Sequence, residues 1–106
     1  MPRPSVSRET EVKGTRQAVP LYRVVLLDDD DHTYDYVIEM LQEIFIFSLV
    51  EGYRHAEELD RMGRTVLIEC ELPEAEFARG QIHAYGADWR LERSEGSMSA
   101  VIEPSQ

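Results

Sequence analysis

The sequence of 106 residues contains one cysteine, Cys70, and one lysine, Lys13. A single cysteine excludes a disulfide framework and fits a reducing compartment. No apolar run approaches the roughly 20 residues that a membrane-spanning helix needs. The first twenty residues also lack the apolar segment of a signal peptide. We therefore expect a cytoplasmic protein that has no membrane segment.

Basic side chains are fewer than acidic ones, 11 against 21, which gives the chain a net charge of −10. The first twenty residues hold more basic than acidic side chains, so the excess of carboxylates lies in residues 21–106. Binding to nucleic acid is disfavoured, because neutralising phosphates requires clustered lysine and arginine. The acidic surplus favours a cationic partner or one with an ammonium group, unless it only keeps a small domain soluble.

The length indicates one domain with a modest core. Residues 1–20 contain three prolines, few apolar side chains and no periodicity, which is typical of a flexible tail. The folded domain is predicted to span residues 21–106.

Three short strands are predicted from apolar and β-branched runs. They are "LYRVVLL" at 21–27, "RTVLIEC" at 64–70 and "SMSAVIE" at 97–103. The last run alternates with period two through Met98 and Ala100.

Three amphipathic helices are predicted between these strands, two after the first strand and one after the second. The first follows a candidate N-cap, Thr33, and the second opens with a capping box of Ser48 and Glu51 and stops at Gly63. The third begins near Pro73 and is expected to end at Gly86. Their apolar positions, expected to face the core, are Val37, Met40, Leu41, Ile44 and Phe45, then Leu49, Gly52 or Tyr53, Ala56 and Leu59, then Phe77, Ala78, Ile82 and Tyr85.

The resulting order is β-α-α-β-α-β, which predicts a small α/β (α+β) domain whose three-stranded sheet is packed by three helices.

The stretch "LLDDDDHTYDYV" at 26–37 places four aspartates between the first strand and the first helix. A phosphorylation receiver site would need an aspartate after a later strand and a lysine, but the second strand ends without aspartate and the only lysine, Lys13, lies in the tail. A calcium loop counted from Asp28 would need glycine where Thr33 stands. Cys70 has no basic neighbour and is expected to be an inert thiol. We therefore expect no catalytic residues, no metal and no cofactor, and the turn suits an ammonium ion instead.

Three stretches carry a resemblance to a known family: "LYRVVLLDDDDHTYDYVIEMLQEIF", "GYRHAEELDRMGRTVLIE" and "AEFARGQIHAYG". Together they resemble ClpS, the substrate adaptor of the bacterial Clp protease. The resemblance implies a non-enzymatic adaptor that binds the free N-terminal residue of a substrate, an N-degron. It also implies delivery of that substrate to a Clp-type AAA+ unfoldase through the N-terminal domain of the unfoldase.

The resemblance also implies a site. Four carboxylates are expected to hold the α-ammonium group: Asp28, Asp29, Asp30 and Asp60. The pocket for the first side chain is expected to be lined by His32, Tyr34, Val37 and Ala56. Asp31 is expected to be mostly solvated.

This chain departs from the family's pattern at several of these positions. Asp28 stands where the family has asparagine, His32 replaces a threonine, and Asp60 replaces a histidine of the second helix. Tyr34 and Ala56 stand at the positions of pocket methionines. The amine site becomes more acidic, and the preferred first residue is left open.

Two partners and one alternative function follow from the resemblance. The expected partners are N-degron substrates and the unfoldase, with no nucleic acid or membrane, and the adaptor itself is expected to be a monomer. The unfoldase contacts lie near the third helix, where residues 73–78 do not match the family cleanly. The alternative is a ClpS-like regulator that docks on the unfoldase without binding N-degrons.

Overall fold

A computed structural model describes residues 19–106, so most of the predicted tail lies outside the described residues and stays a prediction. The elements are β1 (Tyr22–Leu27), α1 (Tyr34–Phe45), α2 (Leu49–Met62), β2 (Arg64–Cys70), α3 (Leu72–His83) and β3 (Ala100–Pro104). The predicted order and the α+β class are confirmed. Among the described residues, no helix is both long enough and apolar enough to span a bilayer.

Strand β1 occupies the centre of an antiparallel sheet of order β2-β1-β3. Its residues Val24, Val25 and Leu26 are fully buried, as expected for a β-branched and apolar run with a neighbour on each side. Pairing continues to the end of the strand. The Leu27 amide donates to the Ser99 carbonyl at 3.0 Å, and the Asp28 amide donates to the Gly63 carbonyl at 3.0 Å. The start of the acidic turn is therefore held from both sides.

The helix termini follow the local signals in the sequence. Thr33 caps α1 by accepting from the Tyr36 amide at 3.1 Å. Ser48 and Glu51 form the predicted capping box of α2, and both of its hydrogen bonds are present. Gly63 ends α2 with φ of 82°, a left-handed conformation that favours glycine. The first two helices, which carry the predicted pocket, therefore begin where the sequence indicated, and the second also ends there.

The third helix differs from its prediction. Phe77 was expected in the core but its side chain is 69 % exposed, whereas Ala75, Ala78 and Ile82 are buried. These three follow each other at helical spacing, so the buried stripe is narrow and Phe77 lies beside it. The helix also ends at His83, with Ala84 as its C-cap, and not at Gly86.

Two further expectations about apolar residues and strands are corrected. Leu49 and Tyr53 on α2 are largely exposed, because Gly52, Ala56 and Leu59 form its buried face. The last strand begins at Ala100 and not at residue 97, since pairing with β1 starts opposite Leu26 and β1 ends one residue later. Ser99 still accepts from the Leu27 amide, and the residues before it lie beyond the end of β1.

The junction between α1 and α2 contains a strained residue. Ile46 adopts φ of 56° and ψ of 34°, and its side chain is 86 % exposed. A β-branched residue is unfavourable in this left-handed region by about 1–2 kcal/mol. Because the side chain is mostly exposed, its burial does not offset that cost.

Replacing Ile46 with glycine should therefore raise the free energy of unfolding by about 1 kcal/mol, because glycine adopts this conformation without steric conflict. Chemical denaturation followed by circular dichroism would measure the change. Ile46→Val is the control, since valine is also β-branched and should bring no gain. Equal stability of the glycine variant and the wild type would contradict the interpretation.

Candidate functional site

The acidic turn is ordered mainly by its second aspartate. Asp29 Oδ1 accepts from the Asp31 amide at 2.8 Å, which is the local turn that aspartate side chains favour. The same oxygen lies 2.7 Å from His32 Nδ1. One oxygen of Asp29 is thus occupied within the turn, and the carboxylate of Asp28 accepts a hydrogen bond from the Asp29 amide.

Helix α2 brings the fourth predicted carboxylate to this turn. Gly63, just after α2, pairs with Asp28, so Asp60 in the last turn of the helix lies close to the first aspartate. The Tyr34 hydroxyl, from the first turn of α1, donates to Asp60 Oδ2 at 3.2 Å. Its ring also packs edge-on against Tyr53, with centroids 5.9 Å apart. The two helices therefore meet at the turn through Tyr34.

A cleft of about 390 Å³ lies between the turn and the two helices. All eight of the predicted site residues line it, together with three residues that the site prediction did not include. The lining residues are Asp28, Asp29, Asp30, His32, Thr33, Tyr34, Val37, Ala56, Leu59, Asp60 and Arg93. Its apolar floor is formed by Val37, Ala56 and Leu59, each at most 5 % exposed. The cleft thus combines an acidic mouth with an apolar floor.

The mouth of the cleft concentrates negative charge. The pKa of Asp28 is raised above its usual value of 3.8, first by burial and then by the neighbouring charges of Asp29, Asp60 and Asp30, against a hydrogen bond from the Asp29 amide that lowers it. A bound cation would relieve this repulsion, because an opposite charge stabilises the ionised carboxyl. Among the described residues, no cluster of histidine, cysteine and acidic side chains is arranged to hold a metal ion.

His32 connects the turn to the loop after α3. Its side chain is only 4 % exposed, and Nε2 lies 2.7 Å from the Gly96 carbonyl oxygen. A carbonyl can only accept, so Nε2 donates in this geometry. The ring also packs at 4.5 Å against Tyr36, whose hydroxyl donates to the Gly86 carbonyl at 2.5 Å. His32 is therefore a fixed wall of the cleft.

Two residues of the same loop were missed by sequence reasoning. Asp88 is buried, and its Oδ2 accepts from the amide and the hydroxyl of Thr33 at 2.7 and 2.8 Å. Arg93 donates through Nε to the Asp30 carbonyl at 2.8 Å and reaches Asp31 Oδ1 at 3.2 Å. Asp31 is thus half-exposed and paired, and it does not line the cleft. Nothing in the aperiodic sequence around Asp88 distinguishes it from the many other acidic residues.

Comparisons with known proteins indicate the family of this chain. No curated protein sequence matches the chain. Among solved structures, Agrobacterium tumefaciens ClpS2 bound to L-phenylalaninamide matches it with a TM-score of 0.72 and 26 % sequence identity, over 83 % of this chain and 100 % of that chain. The profile of the ATP-dependent Clp protease adaptor protein ClpS matches residues 17–89, which include both helices of the cleft and the acidic turn. The chain belongs to the ClpS family of Clp protease adaptors.

Proposed function

We propose that this chain is a non-enzymatic adaptor that binds the free N-terminal residue of a substrate and delivers it to a Clp AAA+ unfoldase. The observation that carries the proposal is the cleft itself, in which four aspartates surround the mouth above an apolar floor. Such a pairing suits a ligand with an ammonium group next to an apolar side chain. An N-terminal residue with a free amine has both features.

The amine would be held by Asp28 and Asp60. One oxygen of Asp29 is already occupied by the Asp31 amide and lies against His32. Asp28 has a raised pKa that burial and neighbouring carboxylates cause, and an ammonium group would lower it again. Asp60 receives one hydrogen bond, from Tyr34, and retains acceptor capacity for a second donor.

The first side chain would enter between α1 and α2, against Val37, Ala56 and Leu59. L-phenylalaninamide, the ligand of Agrobacterium tumefaciens ClpS2, has a free α-amine and an aromatic side chain, so it illustrates this class of ligand. In the present cleft, Tyr34 adds bulk at the mouth and Ala56 leaves room on the floor. We expect a bulky apolar first residue, whose identity depends on how these two changes combine.

The energetics suit a transient adaptor. Burying one large apolar side chain contributes about 2–3 kcal/mol, and each charge-assisted hydrogen bond to the amine adds roughly 1.5–3 kcal/mol. The loss of translational and rotational freedom offsets part of this gain. Binding no tighter than about micromolar is therefore expected, which permits release to the unfoldase.

Peptides with a free, bulky N-terminal residue should bind, whereas the same peptides acetylated at the amine should bind about 100-fold more weakly, because two charge-assisted hydrogen bonds are lost. Fluorescence anisotropy over an array of first residues would measure this. Equal affinity for the two forms would refute the amine site. Capture of the unfoldase without any peptide binding would support the alternative, a regulator that only docks.

Asp28→Asn and Asp60→Asn should each weaken binding of the free-amine peptide by about tenfold, since each removes one charge-assisted contact. Asp31→Asn is the matched control, because Asp31 belongs to the same acidic run but lies outside the cleft, and its effect should stay within about twofold. A similar loss in all three variants would indicate general electrostatic attraction and contradict the assigned contacts.

Acidification provides a further readout of Asp28. Because its pKa is raised, this carboxylate becomes protonated, and stops attracting the amine, at a higher pH than an ordinary aspartate. Affinity in the wild type should therefore begin to fall at a pH above 3.8, and Asp28→Asn should remove that part of the pH dependence. An identical pH profile in the variant would contradict the role of Asp28.

The unfoldase would bind a different face of the adaptor. We propose that Phe77 on α3 contacts the N-terminal domain of the unfoldase, because this large apolar side chain is exposed on the helix near which the resemblance places the contact. Phe77→Ala should reduce capture of the unfoldase at least tenfold without changing peptide affinity. Trp89→Ala controls for removal of an exposed aromatic side chain elsewhere. Unchanged capture by Phe77→Ala would contradict this surface.

A further inference from the structure

The loop between α3 and β3, residues 84–99, touches the acidic turn and the start of α1 at three points. Asp88 accepts from Thr33, the Gly96 carbonyl accepts from His32, and Arg93 donates to the Asp30 carbonyl. Each of these contacts is long-range, since it joins residues more than fifty positions apart in the sequence. The turn that would hold the amine is therefore supported from outside its own segment.

Asp88 makes the most buried of these contacts, with a side chain that is 1 % exposed. Its Oδ2 accepts from the Thr33 amide at 2.7 Å and from the Thr33 hydroxyl at 2.8 Å. Its Oδ1 accepts from the Arg90 amide at 3.0 Å and from Arg90 Nη1 at 3.1 Å. Arg90 is held in turn by an ion pair of 2.6 Å with Glu39. Both carboxylate oxygens are thus used, and the anion lies at the positive end of α1.

Thr33 links this contact to the cleft. It follows His32 directly, caps α1 through the Tyr36 amide, and precedes Tyr34, which holds Asp60. Hydrogen bonds to the amide and the hydroxyl of Thr33 therefore fix the backbone where the turn ends and α1 begins. A carboxylate that binds an amine contributes most when it is already in place, because ordering it during binding costs free energy.

We propose that Asp88 is a positioning residue of the amine site, which holds Thr33 and thereby keeps the turn of residues 28–32 in its binding geometry. This inference rests on the proposed N-degron function. Asp88 itself does not line the cleft.

The ionisation of Asp88 agrees with this role. Burial alone would raise its pKa, but the hydrogen bonds from Thr33 and Arg90 outweigh burial and lower the pKa from 3.8 to about 2. The carboxylate is therefore charged at neutral pH. Because the folded pKa is the lower one, its contribution to stability is fully present above pH 3.8 and is lost as the pH falls toward 2.

The test is Asp88→Asn, which keeps the shape of the side chain and removes its charge. The matched control is Ser48→Ala, which removes a comparable hydrogen-bond acceptor from the start of α2, at the opposite end of that helix from Asp60. Affinity for a free-amine peptide with N-terminal phenylalanine should fall roughly tenfold in Asp88→Asn and less than twofold in Ser48→Ala. The affinities of both variants are measured under conditions in which circular dichroism shows that each variant is folded.

A spectroscopic readout separates positioning from general destabilisation. Amide hydrogen exchange by NMR should show faster exchange at Asp31 and Thr33 in Asp88→Asn, with little change at these amides in Ser48→Ala. If Asp88→Asn does not fold, Thr33→Val replaces it, because it deletes the hydroxyl that Asp88 accepts from. The same loss of affinity relative to Ser48→Ala is then expected.

The outcomes distinguish this inference from the function on which it rests. Wild-type protein that prefers free over acetylated peptide, together with equal losses in Asp88→Asn and Ser48→Ala, would overturn the positioning role alone. Wild-type protein that does not distinguish the two peptides would overturn both. A selective loss in Asp88→Asn, accompanied by faster exchange at Asp31 and Thr33, would support the inference.

Discussion

The hydrogen bonds at the end of β1 determine where the cleft lies. The central strand is paired on both sides up to Leu27, and the next amide, of Asp28, is bonded to the carbonyl of Gly63. That bond ties the first residue of the acidic turn to the residue that ends α2. Asp28 and Asp60 are far apart in the sequence, and this contact places them at one cleft.

The four consecutive aspartates then have different roles. Asp28 lines the mouth with a raised pKa, Asp29 orders the turn from within, and Asp30 presents its carbonyl to Arg93. Asp31 pairs with the guanidinium of Arg93 near the surface. A run that is uniform in sequence is therefore divided by its neighbours, since Asp28, Asp29 and Asp30 line the cleft and Asp31 lies outside it.

The contacts that support the mouth of the cleft also stabilise the buried charge of Asp88. Buried Asp88 would be unfavourable alone, but four hydrogen bonds and the start of α1 stabilise its charge. Two exposed apolar residues lie outside the cleft, Phe77 on α3 and strained Ile46 at the junction of the first two helices. The exposed apolar side chain of Phe77 is therefore separate from the cleft.

The sequence by itself determined the order of the elements, the caps at Thr33 and Ser48, and the stop at Gly63. The family's pattern added eight of the eleven residues that line the cleft. The order, the caps and the stop depend on local chemistry: hydrophobic period, capping side chains and the tolerance of glycine for positive φ. Only the tertiary structure decided that Phe77 faces solvent, that the last strand begins at Ala100, and that Asp88 and Arg93 support the turn. Those outcomes depend on contacts between distant segments, and neither the spacing of residues nor their composition records which loop returns to which helix.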